Sequence, residues 1–184
     1  MKNKYKITAL FVLALLVTSC KNEKSLQSYL VETSNKKGFY AGDFPIGSLF
    51  TPKKNASTDV LQTIKSIKKV NIVFLPVANT STAEYNTEKE TLKGIFKDNK
   101  TYKSLMSMKA KGMNIAVYYS GKSNAIDEMV AFGYGEKVGV GVARLLGNNI
   151  NPEQVILMLQ NVDVENEGAL LQEMLGLFQV NKKL

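Results

Sequence analysis

The sequence predicts an α+β domain: one four-stranded, largely antiparallel sheet with helices packed on one face, preceded by a cleaved signal peptide. Three observations predict it. Helical spacings and strand-length apolar runs follow in the order helix, strand, helices, three strands, helix. Ser120-Gly121 and Gly135 separate the last three strand candidates closely enough for antiparallel neighbours. The chain has 184 residues with a hydrophobic fraction of 45%, sufficient for a single domain with its own core over residues 26–184.

Residues 1–19 read as a lipoprotein signal peptide. Lys2, Lys4 and Lys6 precede an apolar run from Ile7 to Val17, interrupted only by Thr8, and Val17-Thr18-Ser19-Cys20 follows. A basic start, a short apolar core and small residues before a cut define a secretory signal. The run is shorter than the about 20 residues that span a bilayer. The closing tetrapeptide resembles a lipobox. That resemblance implies a diacylglyceryl group on the Cys20 thiol, cleavage between Ser19 and Cys20, and a new amine open to acylation. Several acyl chains anchor stably where one holds only reversibly. Residues 20–25 then form a short lipidated tether.

Ser25 is placed to cap a helix bearing Leu26, Tyr29, Leu30 and Val31, which Asn35-Lys36-Lys37-Gly38 ends. Phe39 to Phe50 contains Gly42, Pro45 and Gly47 and reads as an extended piece with turns. Ser57 caps a second helix with Val60, Leu61, Ile64 and Ile67 along one face. Val70 to Leu75 is an apolar run ended by Pro76, suited to a buried strand. Ser81-x-x-Glu84 and Thr87-x-x-Glu90 both resemble capping boxes ahead of Leu92, Ile95 and Phe96. Asp98-Asn99 breaks that helix, and Tyr102, Leu105 and Met106 suggest a further short one. Strands are expected at Asn114–Tyr119, Ile126–Tyr134 and Val138–Leu146. Asn151 and Pro152 open a helix with Val155, Ile156 and Leu159 inward. The tail, 166–180, is apolar and helix-like; Leu171, Met174, Leu175 and Phe178 are its candidate partner-docking residues, although packing on its own domain is the commoner fate of such a run.

Composition removes much chemistry. There is no His, no Trp and one Cys. A Cys–His pair, a Ser–His–Asp triad, a zinc site of the usual ligands and a haem axial His are all unavailable. The lone Cys makes no intramolecular disulfide, so the fold rests on packing. The net charge of +8 falls to +5 once the three signal lysines leave. Arg144 is the only Arg, and the Lys are interspersed with acids. Nucleic-acid readers rely on Arg forks and aromatic platforms, so no nucleic-acid partner is expected. The basic surface suits anionic lipid nearby.

Local motifs are weak. Gly133-Tyr-Gly135-Glu-Lys-Val-Gly139-Val-Gly141 looks like a phosphate cradle, but its glycines lie in a strand pattern and no Gly-Lys-Ser/Thr follows. Small residues that let a helix lie close explain it better. Ser66-x-x-Lys69 lacks the downstream partners of the penicillin-binding pattern. Asp127 and Glu128, adjacent on a strand, face opposite ways and form no carboxylate pair. No metal set or cofactor is indicated beyond the covalent lipid. Arg144, on the face of Val138, Val140 and Val142, is the candidate anion or ion-pair site, with a carboxylate partner the better expectation.

Several segments carry a family resemblance: Leu26-Gln-Ser-Tyr-Leu-Val-Glu32 soon after the lipobox, Ile67-Lys-Lys-Val-Asn-Ile72, Ile126-Asp-Glu-Met-Val130, and Ala143-Arg-Leu-Leu-Gly147 before Asn151-Pro-Glu153. Together they resemble the domain-of-unknown-function family 4252, lipoproteins of Bacteroidetes-type bacteria, over about Leu26 to Gln160. The resemblance implies an envelope location and no assigned activity. Surface-exported lipoproteins of such bacteria often carry acids just after the Cys. Lys21-Asn22-Glu23-Lys24 is mixed, which favours the periplasmic side of the outer membrane.

The expectation is therefore a non-enzymatic, membrane-anchored envelope domain that binds another envelope protein or senses a ligand. The alternative is a periplasmic hydrolase or transferase using carboxylates and Lys, which would need two carboxylates converging in a cleft. Replacing Cys20 by Ser should move the protein from the membrane to the soluble fraction on fractionation. Retention equal to the parent's would remove the anchor.

Overall fold

The computed structural model describes residues 24–123 and 125–164. The signal and lipidation positions Ser19 and Cys20, most of the tether, and the tail with Leu171, Met174, Leu175 and Phe178 lie outside them.

Four polar residues open helices as expected, each accepting an early backbone N–H that has no intrahelical partner. Ser25 accepts from Ser28 N and starts α1 (Leu26–Thr33). Ser57 accepts from Val60 N and starts α3 (Thr58–Ser66). Ser81 accepts from Glu84 N and starts α4 (Thr82–Phe96). Asn151 accepts from Glu153 N and Gln154 N and starts α5 (Pro152–Gln160). Between α1 and α3 lie β1 (Tyr40–Pro45), the single-turn α2 (Ile46–Leu49) and β2 (Phe50–Pro52).

The long strands are β3 (Ile67–Pro76), β4 (Lys103–Ala110), β5 (Met113–Lys122), β6 (Ala125–Gly135) and β7 (Gly139–Ile150). Together with β1 they form one antiparallel sheet in the order β1-β3-β7-β6-β5-β4. A short β8 (Val162–Val164) pairs with β2 in a separate two-stranded sheet. The main sheet thus has six strands, not four, among the described residues. The two additions, β1 and β4, are its edges. Edge strands pair on one side only and show little burial pattern, which hides them from a periodicity reading.

Tyr102, Leu105 and Met106 illustrate this. Their spacing reads as helical, yet the segment is β4. Asn99 ends α4 by accepting from Thr101 N and Tyr102 N, a side-chain turn that redirects the chain. Lys111 and Gly112 both take positive φ, 46° and 80°. That is the two-residue turn that matches strand twist, and it sets Ala110 against Met113.

Helices cover both faces, not one. Val70, Ile72 and Phe74 of β3 point into a core with Leu49 of α2, Val60 of α3, and Val155 and Met158 of α5. Val73 and Leu75 point into a second core with Leu26, Tyr29 and Leu30 of α1 and Leu92, Ile95 and Phe96 of α4. This is why Val70–Leu75 is apolar at every position but Asn71: alternate residues enter different cores. Leu61, expected on one face with Val60, is exposed, as is Val31. The small residues of β7 let α3 and α4 approach it and also make room for the neighbouring β3. Gly141 faces Phe74 in register, and a Cβ there would collide with the Val73 carbonyl oxygen and the Phe74 ring.

Candidate functional site

Register builds a polar row across the sheet on the α1 face. Asp43 of β1 lies opposite Asn71 of β3, and Asn71 lies opposite Arg144 of β7. Asn71 and Arg144 alternate with Val73 and Val142, which places them on that face. α1 covers the row incompletely. The gap is a cleft of about 270 Å³, lined from the helix by Gln27, Leu30, Val31 and Ser34 and from the sheet by Asp43, Lys69, Asn71 and Arg144 among others.

Arg144 is the structural centre of the cleft. Its Nε donates to Glu128 Oε1 at 2.7 Å and its Nη2 to Glu128 Oε2 at 3.2 Å. The Tyr102 hydroxyl donates to the same Oε1 at 2.7 Å. The side chains of Arg144 and Glu128 are only 14% and 12% exposed. A charge buried this far needs a partner, and a two-point guanidinium–carboxylate contact supplies one with fixed geometry. Burial and the bond to Glu128 both raise the Tyr102 hydroxyl far above its ordinary pKa, so it remains a donor. Glu128 and Tyr102 do not line the cleft, whereas Arg144 does. The guanidinium is therefore gripped from behind. Its Nη1 faces the cleft side and donates to Gln27 Oε1 at 2.7 Å.

The outer half of the cleft holds a second pair. Lys69 Nζ sits 2.6 Å from Asp43 Oδ2, and Asn71 Nδ2 donates to Asp43 Oδ1. The lysine contact, seconded by the amide and opposed by partial burial, lowers the Asp43 carboxyl below its ordinary range. Both side chains of this pair are largely exposed, so it is worth at most about 1 kcal/mol. Asn71 is 5% exposed, and its Oδ1 is buried with no hydrogen-bond partner. Buried acceptors are seldom left so.

A further ion pair secures α1 beyond its apolar residues. Lys36, just past the helix, lies 2.6 Å from Glu88 Oε1 and 3.2 Å from Glu84 Oε1 on α4. The bond to Glu88 is the main reason the Lys36 ammonium is raised above its ordinary pKa. Leu26, Tyr29 and Leu30 fill the core beneath.

Arg144 thus has Glu128 as its carboxylate partner. Ser66 and Lys69 do not meet chemically: Ser66 Oγ donates to Thr63 O, while Lys69 serves Asp43. Asp127 falls at a bulge in β6, where Gly121 takes φ 106° to accommodate it. Among the described residues no group of three or more His, Cys, Asp or Glu is arranged to hold a metal ion. Sequence reasoning missed Gln27, Asp43, Lys69, Asn71 and Tyr102 as site members. Asn71 carried a signal, being the one polar residue in the run Val70–Leu75. The others are linked by register and chain crossing alone.

Replacing Glu128 by Ala strands the Arg144 charge and should cost about 3 kcal/mol in urea unfolding. Replacing both together, Glu128→Leu with Arg144→Met, should recover most of that loss. A double variant as unstable as the single one would show that the pair contributes more than mutual compensation.

No curated protein and no solved structure matches the chain. A family model does, over residues 44–158. The match takes in Lys69, Asn71, Glu128 and Arg144; α1 and Asp43 precede it. It covers well over half of the sequence, and the chain belongs to the family described as Domain of unknown function (DUF4252).

Proposed function

We propose that this is a membrane-anchored envelope lipoprotein whose domain binds a small polar ligand and does not transform it. The observation that carries the reading is the state of the charged groups in the cleft. Arg144 is tied to Glu128 and Lys69 to Asp43, so each cation has a carboxylate and each carboxylate a cation. Catalytic acids and bases work with a pKa moved toward the operating pH. Asp43 moves the other way and stays ionised. Two carboxylates do not converge here, since Glu128 stands behind Arg144 and outside the cleft lining. Such a floor is suited to holding and orienting a partner molecule.

The anchor reading rests on the lipobox at Val17–Cys20. Among the described residues no helix is long and apolar enough to cross a membrane. Cys20 precedes the start of α1 at Leu26 by six residues. Six extended residues reach about 20 Å. A lipid on Cys20 would therefore hold α1, and the cleft beneath it, close to the bilayer surface.

Val31 is 63% exposed at the cleft rim, so a larger side chain there should obstruct the cleft without disturbing the core. The test is the thermal midpoint of the purified full chain with the small-molecule fraction of the source envelope. The parent should be stabilised and a Val31→Trp variant should not. Equal stabilisation of both, or of neither, contradicts binding in this cleft.

A further inference from the structure

We infer that the end of the sheet at which α1 begins is a docking surface for anionic lipid headgroups, carried by Lys65, Lys68, Lys97, Lys100, Lys103 and Lys122. It rests on the anchor reading above, since a lipid on Cys20 brings that end to the bilayer.

The topology gathers these lysines although the sequence scatters them. Lys65 lies in the last turn of α3, and Lys68 is the second residue of β3. Lys97 follows α4, Lys100 lies in the loop beyond it, and Lys103 starts β4. Lys122 ends β5 at the turn into β6. Register brings these junctions to one end. Lys103 lies opposite Tyr119, which lies opposite Met129, which lies opposite Leu145, the neighbour of Arg144. Lys68 Nζ donates to Asn148 Oδ1 at 3.2 Å, where β7 nears its own end. α1 begins at this end too, because Gln27 in its first turn holds Arg144. It runs away from there: Gly38, past its last turn, accepts from Asn79 Nδ2 just beyond the far end of β3.

All six lysines are exposed. Among the described residues none of them forms an ion pair. Lys68 has an amide partner and Lys103 the Tyr119 ring at 5.8 Å, and neither partner removes charge. The unpaired acids at this end are Asp98, Asp127 and Glu153, which leaves an excess of three positive charges. Lys24, Lys69 and Arg144 add nothing, because Glu32, Asp43 and Glu128 neutralise them. A compact ammonium on a flexible stem binds phosphate as a point charge, without fixed geometry. Six of them spread over one end suit a field of headgroups better than a single anion, for which a guanidinium fork is the usual reader. Acyl chains with a basic patch beside them also make the two signals that stable anchoring needs. Docking on this end stands the strands steeply on the bilayer, with the cleft at the side.

The test uses the protein extracted from envelopes in detergent and added to preformed vesicles. One set is phosphatidylcholine alone; the other mixes it equally with phosphatidylglycerol. Lysine acylation rates are then read residue by residue by mass spectrometry. A surface at about −30 mV concentrates protons about threefold, so the six lysines should label at least about threefold more slowly on anionic vesicles. Lys109, Lys111 and Lys137 are exposed at the opposite end, about 30 Å away along the 11 residues of β6. That is several screening lengths, so their rates should not change. Replacing Lys97, Lys100 and Lys103 together by Gln should reduce the protection of Lys65, Lys68 and Lys122. Equal rates on the two vesicle types, or equal slowing at both ends of the sheet, overturn the docking surface. Flotation separates this from the anchor. Protein that floats with both vesicle types but shows no protected end keeps its anchor and loses the surface. Protein that floats only with anionic vesicles, with the six lysines protected, keeps the surface and loses the anchor.

Discussion

The two-point contact between Arg144 and Glu128 is the constraint on which the α1 side of the molecule depends. The only Arg in the chain sits on a central strand, on a face it shares with Val140, Val142, Val130 and Phe132. A guanidinium cannot stay there unpaired. Glu128 meets it from the neighbouring strand, and Tyr102, at the far end of the loop after α4, completes the carboxylate's shell. Three separated parts of the chain are thereby brought to one point. The packing of α1 then follows, since Gln27 closes onto the cleft side of the same guanidinium while Leu26, Tyr29 and Leu30 fill the core beside it.

The sheet separates two kinds of work. On one side, α2, α3 and α5 make a core from Leu49, Val60, Val155 and Met158. On the other, α1 and α4 make a smaller core that gives way, toward β1, to the polar row Asp43, Asn71 and Arg144. A face that is apolar in its middle and polar at its edge leaves a cleft where the covering helix stops. That helix, α1, is also the first among the described residues.

Much of this was legible in the sequence, for local reasons. The caps Ser25, Ser57, Ser81 and Asn151 act within three residues of themselves, so their chemistry can be read along the chain. The central strands carried long apolar runs. What escaped was non-local. The edge strands β1 and β4 face water on much of their surface and lack the alternation that marks a strand. The second helical layer was hidden because Val70–Leu75 feeds two cores at once, and a nearly continuous apolar run does not say how many faces it buries. Arg144 could be singled out as the sole Arg, but its meeting with Glu128, and Asn71's place between Asp43 and Arg144, depend on register.

The central claim is that Arg144 is held from behind and offers its other edge to the cleft. Being the only Arg, it gives a single side-chain Nε–H resonance in a nitrogen–proton spectrum of the full chain. That proton lies in the 2.7 Å bond to Glu128, so it should exchange slowly with water, and Tyr102→Phe should speed the exchange. The Nη1 and Nη2 signals should be distinct from one another, as expected of a guanidinium whose rotation is blocked. An Nε–H that exchanges as fast as that of free arginine, with merged Nη signals unaffected by Tyr102→Phe, would contradict the account.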